Sequence, residues 1–349
     1  MTQGQGRSLG PSELAPTTED PVALLTRLAR SHDVVLLGER HGVDQVLRFV
    51  TDHVGAFAAA GFTAIGMEFG AAELQPALDA ALEAPSFDAA RVRAFMFAYN
   101  VGWALTGYQD IAKGVWAYNN SRPARSQAFR LLNLSYIFDW AGFAGVRSPD
   151  AMARVQFRGP IDVFRADVIE AEVAAGGKVL ALMGEPHALR SDLAPFEVAE
   201  VAGYKHRRRG WTAQVLADRH PGRVASVLMH GVVPAGARFV PPADGIIDDL
   251  TREVGPIAFD LSGASGDLRI GGDFGSTTLR EAADGYIALA PIEQLRGTPI
   301  DVEFATSSNW TQVLDHWPDV DWHPRPVSLN DYYARITRAY DYPRAWGIS

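Results

Sequence analysis

The stretch Val34-Val35-Leu36-Leu37-Gly38-Glu39-Arg40-His41-Gly42 decides the fold. Its four consecutive aliphatic residues lie between polar His32-Asp33 and a glycine, the mark of a short strand buried on both faces, as parallel sheets use. Downstream, Val43, Val46, Leu47, Val50, Val54 and Phe57 recur three and four residues apart. That spacing lines one face of a helix, which Gly61 ends. Thr63 to Phe69 then reads as a second strand. Strand, helix and strand in direct succession form a crossover unit, and its right-handed connection sets both strands parallel in one sheet.

The same grammar extends outward. Pro21 to Arg30 is predicted as a helix, capped by Thr17 or Thr18. Ile161 to Ala175 is a helix broken by Gly176-Gly177, and Lys178 to Gly184 is another buried strand. Phe129 to Leu134, Arg223 to His230, Pro256 to Leu261 and Tyr286 to Ala290 complete the strand candidates. This alternation predicts an α/β fold with a mainly parallel central sheet flanked by helices. Residues 1–20, rich in Gly, Pro, Ser and Thr, are expected to be a flexible leader, with the α/β domain over 21–306. A helical insertion at about 74–127 carries Phe95, Trp103, Tyr108 and Trp116. These aromatics pack between helices or form a substrate-facing lid. The extension 307–349 holds Trp310, Trp317, Tyr332, Tyr340, Tyr342 and Trp346, an aromatic surface that should wrap the domain or a neighbour, such as the second copy of a homodimer.

Composition narrows the functions open to such a chain. At 349 residues it suits one large domain with insertions. Its 32 basic and 41 acidic residues leave a net charge of −9, the opposite of a nucleic-acid-binding footprint. With no cysteine, a thiol nucleophile or cysteine-ligated metal is excluded, so any metal must be held by His, Asp or Glu. Neither a signal-peptide pattern nor an apolar run of about 18 residues is present, so a cytoplasmic chain without a membrane partner is expected.

In open parallel sheets, chemistry gathers beyond the carboxyl ends of the strands. At those positions stand Gly38-Glu39-Arg40-His41, Glu68, and Gly184-Glu185-Pro186-His187. A glycine at each strand end permits a tight turn or positive φ, letting the following residues point above the sheet. Two histidines and two carboxylates, His41, His187, Glu39 and Glu68, form a set that can hold a divalent metal such as zinc or manganese. The same residues can work without metal, with His as base and Glu as its orienter. Glu68, inside the apolar run Ile65-Gly66-Met67-Glu68-Phe69, must be paired or ligated, since bare burial is costly. Arg147 is a candidate to stabilise developing negative charge. Trp103, Tyr108 and His230 are candidate substrate contacts, and Asp260 is a further residue at a candidate strand end. Two other patterns carry no function: Gly6-Arg7-Ser8-Leu9-Gly10 lies outside a strand-to-helix turn, and Asp273-Phe274-Gly275 lacks the other kinase motifs.

On these residues the sequence resembles the superfamily that joins erythromycin esterase-like proteins, ChaN-type haem-binding proteins and Tiki/TraB-type metalloproteases. The likeness runs through Gly38-Glu39-Arg40-His41, Glu68, Arg147 with Met152, and Gly184-Glu185-Pro186-His187, within residues 30–295. The segment Trp103 to Asn119 is similar to a helical segment of the esterase branch. One residue separates Glu39 from His41, a spacing closer to the haem-binding and Tiki-like branches than to the esterases. The resemblance implies a hydrolase acting on an ester or amide bond in a small molecule or peptide-derived natural product. It also leaves open haem binding without catalysis, and Tiki-like metallopeptidase action.

Overall fold

The computed structural model describes residues 11–123, 126–139, 154–191, 193, 198–201, 204–207, 210–317 and 324–348. Its strands are β1 (Thr18–Glu19), β2 (Val34–Glu39), β3 (Ala64–Ala71), β4 (Arg130–Ser135), β5 (Val179–Gly184) and β6 (Val198–Val201). They continue with β7 (Tyr204–Arg207), β8 (Val224–Met229), β9 (Val233–Ala235), β10 (Arg238–Val240), β11 (Ile257–Asp260) and β12 (Gly285–Ala288). Eight form the central sheet, in the order β1-β11-β12-β8-β2-β5-β3-β4. β2 lies inside it, and β2, β3 and β5 are buried along their whole length, as their continuous apolar runs require.

Every pairing from β12 to β4 is parallel. At the other edge β11 runs antiparallel to β12, and β1 antiparallel to β11. The α/β expectation with a mainly parallel sheet therefore holds, and the reversed β11 is its one departure. That reversal has a consequence for Asp260: it pairs with Gly285, the first residue of β12, and so lies on the rim opposite the carboxyl ends of the parallel strands. There it binds Arg27 rather than joining the site.

Two further expectations are corrected at the N-terminus. Residues 11–19 are built into the fold rather than belonging to a flexible leader: Pro11–Leu14 is helical, Leu14 is fully buried, and Thr18–Glu19 extends the sheet. The helix Pro21–Ser31 is capped by Asp20, whose carboxylate accepts from the N–H groups of Val22 and Ala23. Thr17 and Thr18 cannot serve, because their hydroxyls turn back to the carbonyls of Leu14 and Ala15.

Helices cover both sheet faces. On one, Val34, Leu36, Ala181 and Met183 pack against Ile169 and Leu216 from the helices Ile161–Ala174 and Thr212–Arg219. On the other, Val35 and Leu37 join a larger core with Leu47, Phe57, Tyr108 and Ile111. The insertion folds as helices Gln75–Leu82, Ala89–Tyr99 and Thr106–Ser121. The C-terminal extension enters that same core through Trp317, Tyr332, Ile336 and Trp346. The Tyr332 hydroxyl donates to the Val101 carbonyl, tying the extension to the insertion. Among the described residues no helix is long and apolar enough to cross a membrane.

Candidate active site

β2, β5 and β3 are neighbours, so their carboxyl ends share one rim. Glu39 closes β2 directly opposite Gly184, the last residue of β5. β3 pairs with β5 only as far as Met67 and then loses register with β4 before Ala71, which frees Glu68 to turn toward Gly184. The Gly184 N–H donates to Glu68 Oε2 at 2.7 Å. A side chain on Gly184 would come within 2.7 Å of the His41 ring and 3.5 Å of Glu68 Oε2, so His41 and Glu68 meet over this glycine. Space, not backbone freedom, fixes Gly184, whose φ is −55°. Positive φ is needed one turn earlier, at Gly42, with φ 75° and the Tyr340 ring 2.6 Å from where a Cβ would stand.

His41 Nδ1 lies 3.3 Å from Glu39 Oε1. The Tyr108 hydroxyl donates to the same carboxylate oxygen at 2.6 Å and accepts the Gly42 N–H at 3.0 Å, clamping the turn. Burial pushes the Glu39 carboxyl up, against the opposing pull of His41 and Tyr108. Its second oxygen, Oε2, is buried with no partner. Burial pulls the His41 imidazole down, yet the carboxylates of Glu39 and Glu68 outweigh it and raise its pKa above the ordinary 6.5. The His41 side chain keeps 33% of its surface exposed.

The second half of the rim is organised differently. Glu68 Oε1 accepts from Arg165 Nη2 at 2.8 Å and lies 3.4 Å from His187 Nε2. His187 Nδ1 contacts Asp162 Oδ1 at 2.6 Å, and the Thr212 backbone N–H and hydroxyl both donate to that oxygen. Desolvation would raise the Glu68 pKa, but Arg165, then His187 and His41, hold it at about 2. Asp162 is lowered too: its desolvation is outweighed chiefly by His187. Ser135 completes the support, donating to the Glu68 carbonyl and accepting from Arg165.

These commitments decide the metal question. Both oxygens of Glu68 serve Arg165, His187 and a backbone N–H, and both nitrogens of His187 face carboxylates. The expected set Glu39, His41, Glu68 and His187 does converge on one rim, but the donor atoms of Glu68 and His187 are spent on one another, Arg165, Gly184 and Asp162, which leaves Glu39 Oε2 and His41 Nε2 uncommitted. Among the described residues no group of three or more His, Asp or Glu is arranged to hold a metal ion. Two uncommitted donors are fewer than the three or four protein ligands that zinc takes, so the residues as arranged do not fit zinc or manganese.

The other expected members fall out as follows. Tyr108 is fully buried and holds Glu39, so it supports the site rather than touching a ligand. Trp103 stacks on Phe69 at 3.8 Å and meets the His41 ring edge-on at 5.4 Å, backing the imidazole as packing. His230 is enclosed between Tyr286 and Asp248, which engage both of its ring nitrogens. Arg147, Met152 and the Gly6–Gly10 motif lie outside the described residues.

Sequence reading missed Asp162 and Arg165. A signal existed: a helix leading into a parallel strand starts at the carboxyl rim, so charged residues in its first turns face the site. It also missed the pairing of Arg40 with Glu185, whose Nε and Oε2 stand 3.1 Å apart. No sequence signal foretold the extension's placement, which brings the Tyr342 hydroxyl to within 3.0 Å of the His41 carbonyl. Around His41 lies a cavity of about 470 Å³, lined by Glu39, Arg40, Glu185, Phe239, Tyr342 and Trp346 among others.

No protein-family model matches the sequence, and no curated protein does. Solved structures match its fold. A Bacillus cereus protein superposes with a TM-score of 0.55 at 12% identity, covering 84% of this chain and 94% of that one. A succinoglycan biosynthesis protein gives 0.52 at 13% identity, over 82% and 93%. An erythromycin esterase in its open conformation gives 0.50 at 14% identity, over 80% and 95%. The chain thus shares the erythromycin esterase fold that its G-E-x-H turns resemble, and at such identities the likeness concerns the fold alone.

Proposed function

We propose that the protein is a hydrolase of ester or amide bonds in a small molecule or peptide-derived natural product, with His41 as general base and Glu39 as the group that positions it. One observation carries this reading. The His41 imidazole is held through Nδ1 by a carboxylate that Tyr108 itself pins, while the ring borders an open cavity. An ionised carboxylate only accepts, so neutral His41 carries its proton on Nδ1 and leaves Nε2 free to take one.

Nε2 removes a proton from water as the water oxygen bonds to the substrate carbonyl carbon. The resulting imidazolium is stabilised by Glu39 and by the negative charge of Glu68. It returns the proton to the leaving alkoxide or amine as the carbon–heteroatom bond breaks. Glu68, Arg165, His187 and Asp162, paired with one another, fix the floor on which this happens.

The test is hydrolysis of a panel of aryl and alkyl esters and short peptide amides by the native chain and by His41→Ala. Turnover that disappears in the variant supports the reading; no turnover above the variant on any substrate overturns it. Haem carriage is the alternative that an exposed imidazole beside aromatic walls would also serve. It predicts a Soret band on adding haemin, lost in His41→Ala, together with no hydrolysis.

A further inference from the structure

The cavity beside His41 takes much of its wall from segments remote from the sheet. The Tyr342 and Trp346 rings are stacked at 4.0 Å with only 17° between their planes. Phe239, on the short hairpin of β9 and β10, lines the same cavity and keeps 37% of its surface exposed, unusual for a large apolar side chain. The Arg40 guanidinium carbon lies 6.0 Å from the Phe239 ring centre. Arg40 forms an ion pair with Glu185, yet its Nε and Nη2 are both buried without a hydrogen-bond partner.

We infer that this cavity receives a flat, uncharged aryl group of the substrate against Phe239, Tyr342 and Trp346, with an adjoining carbonyl oxygen accepting from the Arg40 guanidinium. The proposal rests on the hydrolytic reading for the identity of that carbonyl. Planar π surfaces favour an aromatic guest in offset or edge contact. An unpaired guanidinium N–H is a costly group to leave buried, and a carbonyl oxygen satisfies it. A carboxylate guest is disfavoured, because Glu185 already neutralises Arg40 and Glu39 lines the same space.

Calorimetric titration of the full chain tests this with two probes of similar shape, acetonaphthone and naphthoate, neither of which carries an ester or amide bond to cleave. Acetonaphthone is expected to bind at least about tenfold more tightly than naphthoate, and Arg40→Met to weaken it roughly fivefold or more. Phe239→Ala is expected to weaken it several-fold with little change in melting temperature, since Phe239 is a partly exposed side chain on a short hairpin. Naphthoate binding as well as acetonaphthone, or acetonaphthone affinity unaltered in both variants, overturns the proposal. Ester hydrolysis without acetonaphthone binding overturns it while sparing the hydrolase reading. Acetonaphthone binding without hydrolysis does the reverse.

Discussion

Gly38-Glu39-Arg40-His41 and Gly184-Glu185-Pro186-His187 spell the same pattern on adjacent strands, yet they play different parts. The two copies are one residue out of step, for Glu39 pairs with Gly184 rather than with Glu185. β2 runs through its glutamate, so Glu39 points down into the core to Tyr108, and His41 stands at the cavity. β5 stops at its glycine, and a tight turn over Glu185–Ala188 follows. Glu185 therefore reaches Arg40, and His187 turns to Asp162 on a neighbouring helix. A one-residue offset in a strand changes the side a residue faces, which is why equal motifs need not have equal roles.

The sharpest way to break this comparison is to remove each histidine. His41→Ala should lower kcat/KM by about 100- to 10,000-fold with little change in stability. His187→Ala should cost far less activity, and its main effect should be a loss of about 1–3 kcal/mol as Asp162 and Glu68 lose a partner. Equal activity losses in steady-state kinetics would show that the two turns are functionally alike.

Next in size is Arg165→Met, which leaves the Glu68 carboxylate buried without its cation. A loss of about 3–5 kcal/mol in urea unfolding is expected. Because the folded Glu68 pKa, about 2, lies below its ordinary 4.5, its stabilisation is complete above pH 4.5 and fades as pH falls toward 2. That acid sensitivity should be blunted in the variant. An unaltered acid limb would mean that Glu68 owes little to Arg165.

Tyr108→Phe sharpens the first half of the comparison. Losing the hydroxyl that both donates to Glu39 and accepts from Gly42 should cost about 1–3 kcal/mol and lower kcat more than it changes KM. An altered KM with an unchanged kcat would instead make Tyr108 a substrate contact.

The finest test is a pH profile. His41 has a raised pKa, so its base form accumulates only above the ordinary 6.5, and kcat/KM should rise with pH through a midpoint above that value. Glu39→Gln removes one of the carboxylates that stabilise the imidazolium and should move this midpoint downward. A midpoint that stays put would mean that Glu39 does not govern His41.

Much of the architecture was legible because burial on both faces forces a continuous apolar run: Val34 to Leu37, Ala64 to Met67 and Val179 to Met183 announce themselves. The rim residues Glu39, His41, Glu68 and His187 followed from the rule that strand ends converge. The direction of β11 was not legible, since an apolar run reads the same in either sense; hence Asp260 was assigned to the wrong edge. His230 misled for a related reason. It does end a parallel strand, but a hydrogen bond on each side holds it inside the core.

Local composition by itself determined the strands, the parallel crossovers and the rim on which four ionisable residues gather, because periodicity and chain connectivity act over short distances. Tertiary structure alone decided which charge faces which: Arg165 against Glu68, Asp162 against His187, Arg40 against Glu185, and the C-terminal Tyr342 and Trp346 beside His41. Those pairings join segments up to 301 residues apart, as between His41 and Tyr342. An electrostatic partner or a packed ring is set by distance in space, which no spacing along the chain encodes.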